Sequence, residues 1–191
     1  MVERFPPPEL RGCARAATTP QAGVSRRRWL QASLGLAAGA SAVPAWALDA
    51  PTGVVVLTLG GRVRNTNDGR RAQFDMPMLE ALPQQSLSMR TPWYAQSRRF
   101  TGPLMRDVLM AAGAQGTLLK LIALNDYVVE MPFDDPQRHD VIIARLIDDK
   151  PLTVRDKGPL FVVYPFDSRP ELRTAVYYSR SAWQLRTIEV L

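Results

Sequence analysis

Thiol and imidazole are the side chains that most readily do chemistry at neutral pH, and this chain holds one of each, Cys13 and His139. A single histidine excludes metal sites built from several imidazoles and leaves one candidate for the base of a nucleophilic triad. His139 lies in Asp134-Asp135-Pro136-Gln137-Arg138-His139-Asp140, a stretch that reads as a polar turn with the imidazole facing solvent. No nucleophile elbow or metal-binding helix surrounds it. Asp134, Asp135 and Asp140 are the right chemistry for a hard cation such as calcium, although three acids in a turn are more often solvated than coordinated. Gly60-Gly61 lacks the spacing and the following helix that cradle a phosphate, which argues against nucleotide hydrolysis. No catalytic residue and no metal ligand is assigned on these grounds.

The elements that would position such groups can be read from periodicity and punctuation. Val54 to Leu59 is a β-branched run stopped by Gly60-Gly61 and reads as a strand. Asp75 is placed to cap a helix from Met76 to Leu82, with Pro77 in its first turn and Pro83 ending it. Ser86 to Tyr94 reads as a short strand entering an irregular loop. Leu104, Val108, Leu109 and Ala112 recur at helical spacing and Gly113 supplies the stop, giving a second helix. Leu118–Leu124 and Tyr127–Met131 flank the turn Asn125-Asp126 as a hairpin. Val141–Ile147 and Leu152–Val154 flank Asp148–Pro151 in the same way. Phe161–Tyr164 and Leu185–Val190 are further strands, separated by a loop over 165–176. About seven strands and two short helices imply an α+β, mainly β domain. The dispersed aromatics are explained by core packing.

Residues 1–47 differ in kind. Ser25-Arg26-Arg27-Arg28-Trp29-Leu30-Gln31 resembles a twin-arginine export motif, with Trp29 where Phe is usual. An Ala/Gly-rich apolar run to Val43 follows, and Ala45-Trp46-Ala47 gives a small-x-small cleavage pattern. The run is too short and too weakly apolar to hold roughly 20 residues in a bilayer. The expectation is a cleaved signal over 1–47, a periplasmic domain over 48–191, and no membrane span after cleavage. Six of the 24 basic and two of the 18 acidic residues fall in the leader, so the net charge drops from +6 to +2 without it. That balance argues against a nucleic-acid partner. Cys13 leaves with the leader, and the remaining domain has no disulfide and no thiolate.

Four segments, in order, resemble the molybdopterin-binding domain of the sulfite oxidase family. They are Phe100-Thr101-Gly102-Pro103-Leu104-Met105-Arg106-Asp107-Val108-Leu109, Ala123-Leu124-Asn125-Asp126-Tyr127, Lys157-Gly158-Pro159-Leu160 with Val162-Val163-Tyr164-Pro165, and Arg180-Ser181-Ala182-Trp183 with Ile188-Glu189-Val190. The resemblance spans residues 54–190 and implies that family's core. It also implies a pterin cofactor whose phosphate is held by Arg98, Arg99, Lys157 and Arg180, with Asn125 and Asp126 bonding the pterin edge. Here the chain departs from the family, which grips molybdenum through a cysteine about ten residues before the aromatic-x-Gly segment. The corresponding stretch, Ser88-Met89-Arg90-Thr91-Pro92-Trp93, has none. Ser88, Thr91 or Ser97 offers an oxygen in its place, but a hydroxyl does not reproduce a soft sulfur ligand.

Two functions follow. The first is a binding, sensory or accessory module that takes a pterin or another small anionic ligand and works through a periplasmic redox or sensor partner protein. The second is a molybdopterin-dependent oxidoreductase with non-thiolate ligation, which would need a separate electron carrier because residues 48–191 hold no cysteine for an iron–sulfur cluster and show no haem-binding motif. A cofactor-free hydrolase is poorly supported, since His139 has no evident nucleophile beside it.

Overall fold

A computed structural model describes residues 48–191; the leader reading for 1–47 lies outside them. In chain order the strands begin with β1 (Val55–Gly61), β2 (Ala72–Asp75), β3 (Gln84–Thr91) and β4 (Tyr94–Pro103). β5 (Leu118–Ala123), β6 (Val128–Pro132), β7 (Ile142–Ala144) and β8 (Leu146–Ile147) follow, and then β9 (Lys150–Pro151), β10 (Phe161–Val163) and β11 (Leu185–Val190). The helices are α1 (Met76–Ala81), α2 (Met105–Ala111), α3 (Asp135–His139) and α4 (Ala175–Arg180). The class is α+β and mainly β, as the patterning implies. The count is corrected from two helices to four and from about seven strands to eleven.

A five-stranded sheet has the order β2-β1-β11-β5-β6. β11 runs parallel to β1 and antiparallel to β5. Alternation along β1 and β5 sends Leu57, Leu59, Leu119 and Leu121 into the core, and a register shift after Leu185 lets β11 bury both Leu185 and Ile188; all six are fully buried. A four-stranded antiparallel sheet, β3-β4-β8-β9, and the pair β10-β7 complete the β structure. One continuous apolar cluster joins side chains from all three sheets.

The local signals explain the ends of the elements. Asp75 Oδ1 accepts from Met78 N at 2.9 Å, the capping bond that starts α1. Gly113, at φ +60°, ends α2 in the left-handed conformation that glycine adopts without steric cost. The segment Ser86–Tyr94 is corrected: β3 runs eight residues to Thr91, Pro92-Trp93 makes the tip, and β4 returns over ten residues. Residues 134–140 are not a plain turn, since α3 occupies Asp135–His139. Residues 165–176 are not wholly loop, since a 3-10 turn lies at Pro170–Leu172 and α4 begins at Ala175. The hairpin at Asp148-Asp149 is formed by β8 and β9, and Val154 belongs to a 3-10 turn rather than to a strand. Among the described residues no helix is long and apolar enough to cross a membrane.

Candidate functional site

The β3–β4 tip is where separate parts of the chain meet. Trp93, at the tip, packs edge-on against Phe161 with centroids 5.2 Å apart, against Tyr178 at 5.9 Å and against Trp183 at 6.1 Å. Offset and edge-on ring pairs of this kind add about 0.5–1.5 kcal/mol each beyond area burial. The tip is thereby fixed against α4 and against the segment leading into β11.

Two clefts adjoin it. The smaller, about 240 Å³, has a floor of Trp93, Ala182 and Trp183. One wall is Asn125 and Tyr127 from the β5–β6 turn, and the other is Tyr178, Ser179 and Ser181 from α4 and its end. The Tyr127 hydroxyl donates to Ser179 O at 3.2 Å, tying the two walls together. The hydroxyls of Ser179 and Ser181 donate to Val176 O and Tyr177 O, so their protons are already used. No charged residue lines this cleft. Its chemistry suits a flat, uncharged ring held by aromatic faces and a few hydrogen bonds.

The larger cleft, about 590 Å³, shares Tyr178 and is lined also by Arg90, Thr91, Pro92, Asp167 and Arg173. Asp167 accepts from Arg90 N at 3.1 Å and from Arg173 Nη2 at 2.6 Å, and Arg173 Nε donates to Phe166 O at 2.9 Å. Two guanidinium groups against one carboxylate leave an excess positive charge facing the opening. Thr91 is only 9% exposed, and its hydroxyl finds no hydrogen-bond partner among the described residues. A buried hydroxyl without a partner costs about 1–3 kcal/mol, so it is uncommon in a folded protein unless something else uses it.

Of the six residues that the resemblance picks out, one lines the small cleft and two are linked to it through ring contacts. Asn125 lines it. Lys157 Nζ lies 5.1 Å from the Trp183 ring and 5.3 Å from that of Tyr94, and the Arg98 guanidinium lies 5.5 Å from Tyr94. Burial, with Asp156 nearby, raises the Tyr94 hydroxyl above its ordinary value and keeps it a proton donor. Arg98 Nε is 2.8 Å from Asp148 Oδ2, close but without the alignment of a hydrogen bond. The other three lie elsewhere. Arg99 pairs with Asp149, Asp126 is an exposed turn residue 3.4 Å from Arg186, and Arg180 pairs with the buried Asp135.

The acidic stretch is also redistributed. Asp134 pairs with Arg138, Asp140 with Arg106 and Asp135 with Arg180, so the three carboxylates diverge and form no cation site. Among the described residues no cluster of three or more His, Cys, Asp or Glu is arranged to hold a metal. His139 is half-buried rather than solvent-facing, with its ring 5.5 Å from that of Tyr177 and its Nδ1 3.5 Å from Arg169 Nη1. Of the three candidate oxygen ligands, Ser88 and Ser97 are exposed on their strands and only Thr91 reaches a cleft. One hydroxyl, with no thiolate or imidazole lining the cleft and with the Asp167 carboxylate already bonded to Arg173 and Arg90 N, does not fit a soft oxo-metal centre. A ring with an anionic group does fit, as the small cleft alone falls below the roughly 300 Å³ at which whole-ligand pockets begin and the basic cleft adjoins it.

Trp93, Trp183, Tyr178, Arg90 and Arg173 belong to the site although their residue types alone point to core packing or surface charge. No family model and no curated protein matches this chain. Matches among solved structures include the sulfane dehydrogenase SoxCD from Paracoccus pantotrophus, at 14% identity and a TM-score of 0.49. That likeness covers 70% of this chain and 37% of the other.

Proposed function

We propose that this protein is an exported binding module for a small ligand made of a flat heteroaromatic ring and an anionic group. The pterin part of molybdopterin is the ligand to which the sequence resemblance points. One observation carries the reading: an uncharged aromatic cleft and a cationic cleft adjoin through Tyr178 at the β3–β4 tip. Trp93 and Trp183 take the ring, Asn125 bonds its edge, and Arg90 and Arg173 take the charge, with the Thr91 hydroxyl offering one more bond. Lys157 and Arg98 extend the basic surface beyond Trp183. A sulfite oxidase-like core and the twin-arginine leader complete this reading, in which the module acts in the periplasm through a redox or sensor partner.

The competing reading, a molybdopterin-dependent oxidoreductase with oxygen ligation, draws on the unpartnered Thr91 hydroxyl. The missing thiolate weighs against it. Both are tested on protein purified from a host with an intact twin-arginine route, by measuring molybdenum per chain together with the fluorescence of oxidised pterin. Pterin without stoichiometric molybdenum supports the binding module. Molybdenum and pterin together at one per chain overturn it in favour of the oxidoreductase. Neither, with no uptake of added pterin-6-carboxylate by calorimetry, overturns the pterin reading altogether. Arg26→Lys with Arg27→Lys is expected to hold the chain in the cytoplasm, and unchanged export would sink the leader assignment.

A further inference from the structure

α4 forms one wall of the small cleft, where Tyr178 packs on Trp93 and Phe166 and the Tyr127 hydroxyl holds Ser179 O, but none of these contacts reaches its last residue. The helix is six residues long, buries no residue and has no side-chain cap at Thr174. A helix this short is not stable by itself, and its position must come from tertiary contacts. Tyr178 and Ser179 face the cleft. The neighbouring Tyr177 and Arg180 meet a different environment, the buried polar group beneath α3.

That group centres on Asp135, which is 4% exposed. Its Oδ2 accepts from Arg180 Nη1 at 2.8 Å and from the hydroxyl of Tyr164 at 2.9 Å. The guanidinium carbon of Arg180 sits 5.4 Å from the Tyr177 ring, which packs at 5.2 Å on Tyr164 and at 5.5 Å on His139. Burial, together with the Asp135 carboxylate, drives the Tyr164 hydroxyl far above its ordinary value, so it remains a donor to that carboxylate. Both bonds to one oxygen join three elements: α3 through Asp135, the end of β10 through Tyr164, and the last residue of α4 through Arg180.

We infer that Arg180 is a positioning residue, turned away from the ligand and locked to Asp135 so that α4 holds the cleft wall of Tyr178 and Ser179 against Trp93. This rests on the proposed ring-binding role of the small cleft. It assigns Arg180 a different task from the anion contact that the resemblance implies, because its charge is already matched by a buried carboxylate.

The test uses the full chain carrying Trp29→Phe and Trp46→Phe, so that only Trp93 and Trp183, both in the cleft, emit. Three forms are compared: this background, Arg180→Lys, and the neutral pair Asp135→Asn with Arg180→Gln. The pair avoids stranding a buried charge and keeps a folded comparison if Arg180→Lys unfolds. Circular dichroism checks the fold, acrylamide quenching reads cleft closure without ligand, and titration with neutral pterin and with pterin-6-carboxylate reads binding. Positioning predicts that quenching rises in the neutral pair and that both ligands lose affinity by the same factor, on the order of 10-fold. A loss confined to the carboxylate would mean that Arg180 touches the anion and would overturn the inference. Unchanged quenching in a folded neutral pair would overturn it as well. If the background binds neither pterin, the ring-binding role fails by itself, and quenching still decides whether Arg180 sets the wall.

Discussion

At the scale of single residues, Thr91 separates what the site costs from what it does. Its hydroxyl is buried and without a partner among the described residues, and valine has nearly the same shape without the polar atom. Thr91→Val is therefore expected to raise stability by about 1 kcal/mol in the absence of ligand, read from denaturant midpoints at unchanged slope. The same change is expected to weaken binding of pterin-6-carboxylate. Lower stability in the variant would mean that the hydroxyl is satisfied in the folded protein, and the case for a ligand bond from it would go. Trp183 tests the other half of the site. Trp183→Ala removes a cleft floor and the ring beneath Lys157, and binding is expected to fall by about 10-fold or more with a modest change in melting temperature. These roles were only partly legible in the sequence. Asn125, Lys157 and Arg98 could be picked out by resemblance because each sits in or near a short motif. Trp93 and Tyr178 could not, and Trp183, although it closes the motif Arg180-Ser181-Ala182-Trp183, is not singled out either, since an aromatic that lines a cleft and one that fills a core have the same residue type. Only the pairing of distant strands separates them.

Elements show the same division between local and long-range signals. β1, β5, β6 and β11 carry apolar alternation or β-branched runs, α2 has a clear apolar face with a glycine stop, and α1 has its capping aspartate. All six were readable because the information lies within a few residues. β4 was missed because Gln96-Ser97-Arg98-Arg99 dilutes its pattern, and it is a strand because β3 and β8 pair with it on either side. α3 and α4, with five and six residues, are too short for a 3.6-residue period to repeat twice. The Asp75 cap also makes a pH-dependent claim. Its carboxylate accepts from Met78 N and Gly53 N, and also from Thr52 N and Oγ1, and these bonds hold it below the ordinary carboxylate range despite its burial. A native value below the unfolded one contributes stability that is fully present above the unfolded pKa and is lost as pH falls through the native value. Asp75→Asn is therefore expected to melt lower than the parent at pH 6, with the gap narrowing from about pH 4 downward as the parent's carboxylate takes up its proton. Parallel melting curves from pH 6 to pH 3 would show that the native carboxylate is not specially stabilised.

For the whole molecule, the informative feature is the place of the last strand. β11 lies between β1 and β5, so the five-stranded sheet is two separate pairs until residues 185–190 insert. Leu185, Ile188 and Val190 are buried from it. Truncating one buried Leu or Ile to Ala costs about 2–5 kcal/mol, and losing three such side chains with both ladders exceeds much of the roughly 5–15 kcal/mol that holds a domain together. A chain ending at Gln184 is accordingly expected to show no cooperative thermal transition, whereas Leu185→Ala in the full chain should melt lower but still cooperatively. The close approach of β4 to β7 gives an independent check on rigidity. A Cβ at Gly102 would fall on the Ile143 carbonyl oxygen, so Gly102→Ala should destabilise strongly even though it removes no contact. If the Gln184-terminated chain melts cooperatively near the full-length temperature, β11 is an accessory to a sheet already formed, and the clefts that depend on Trp183 leading into it lose their fixed floor.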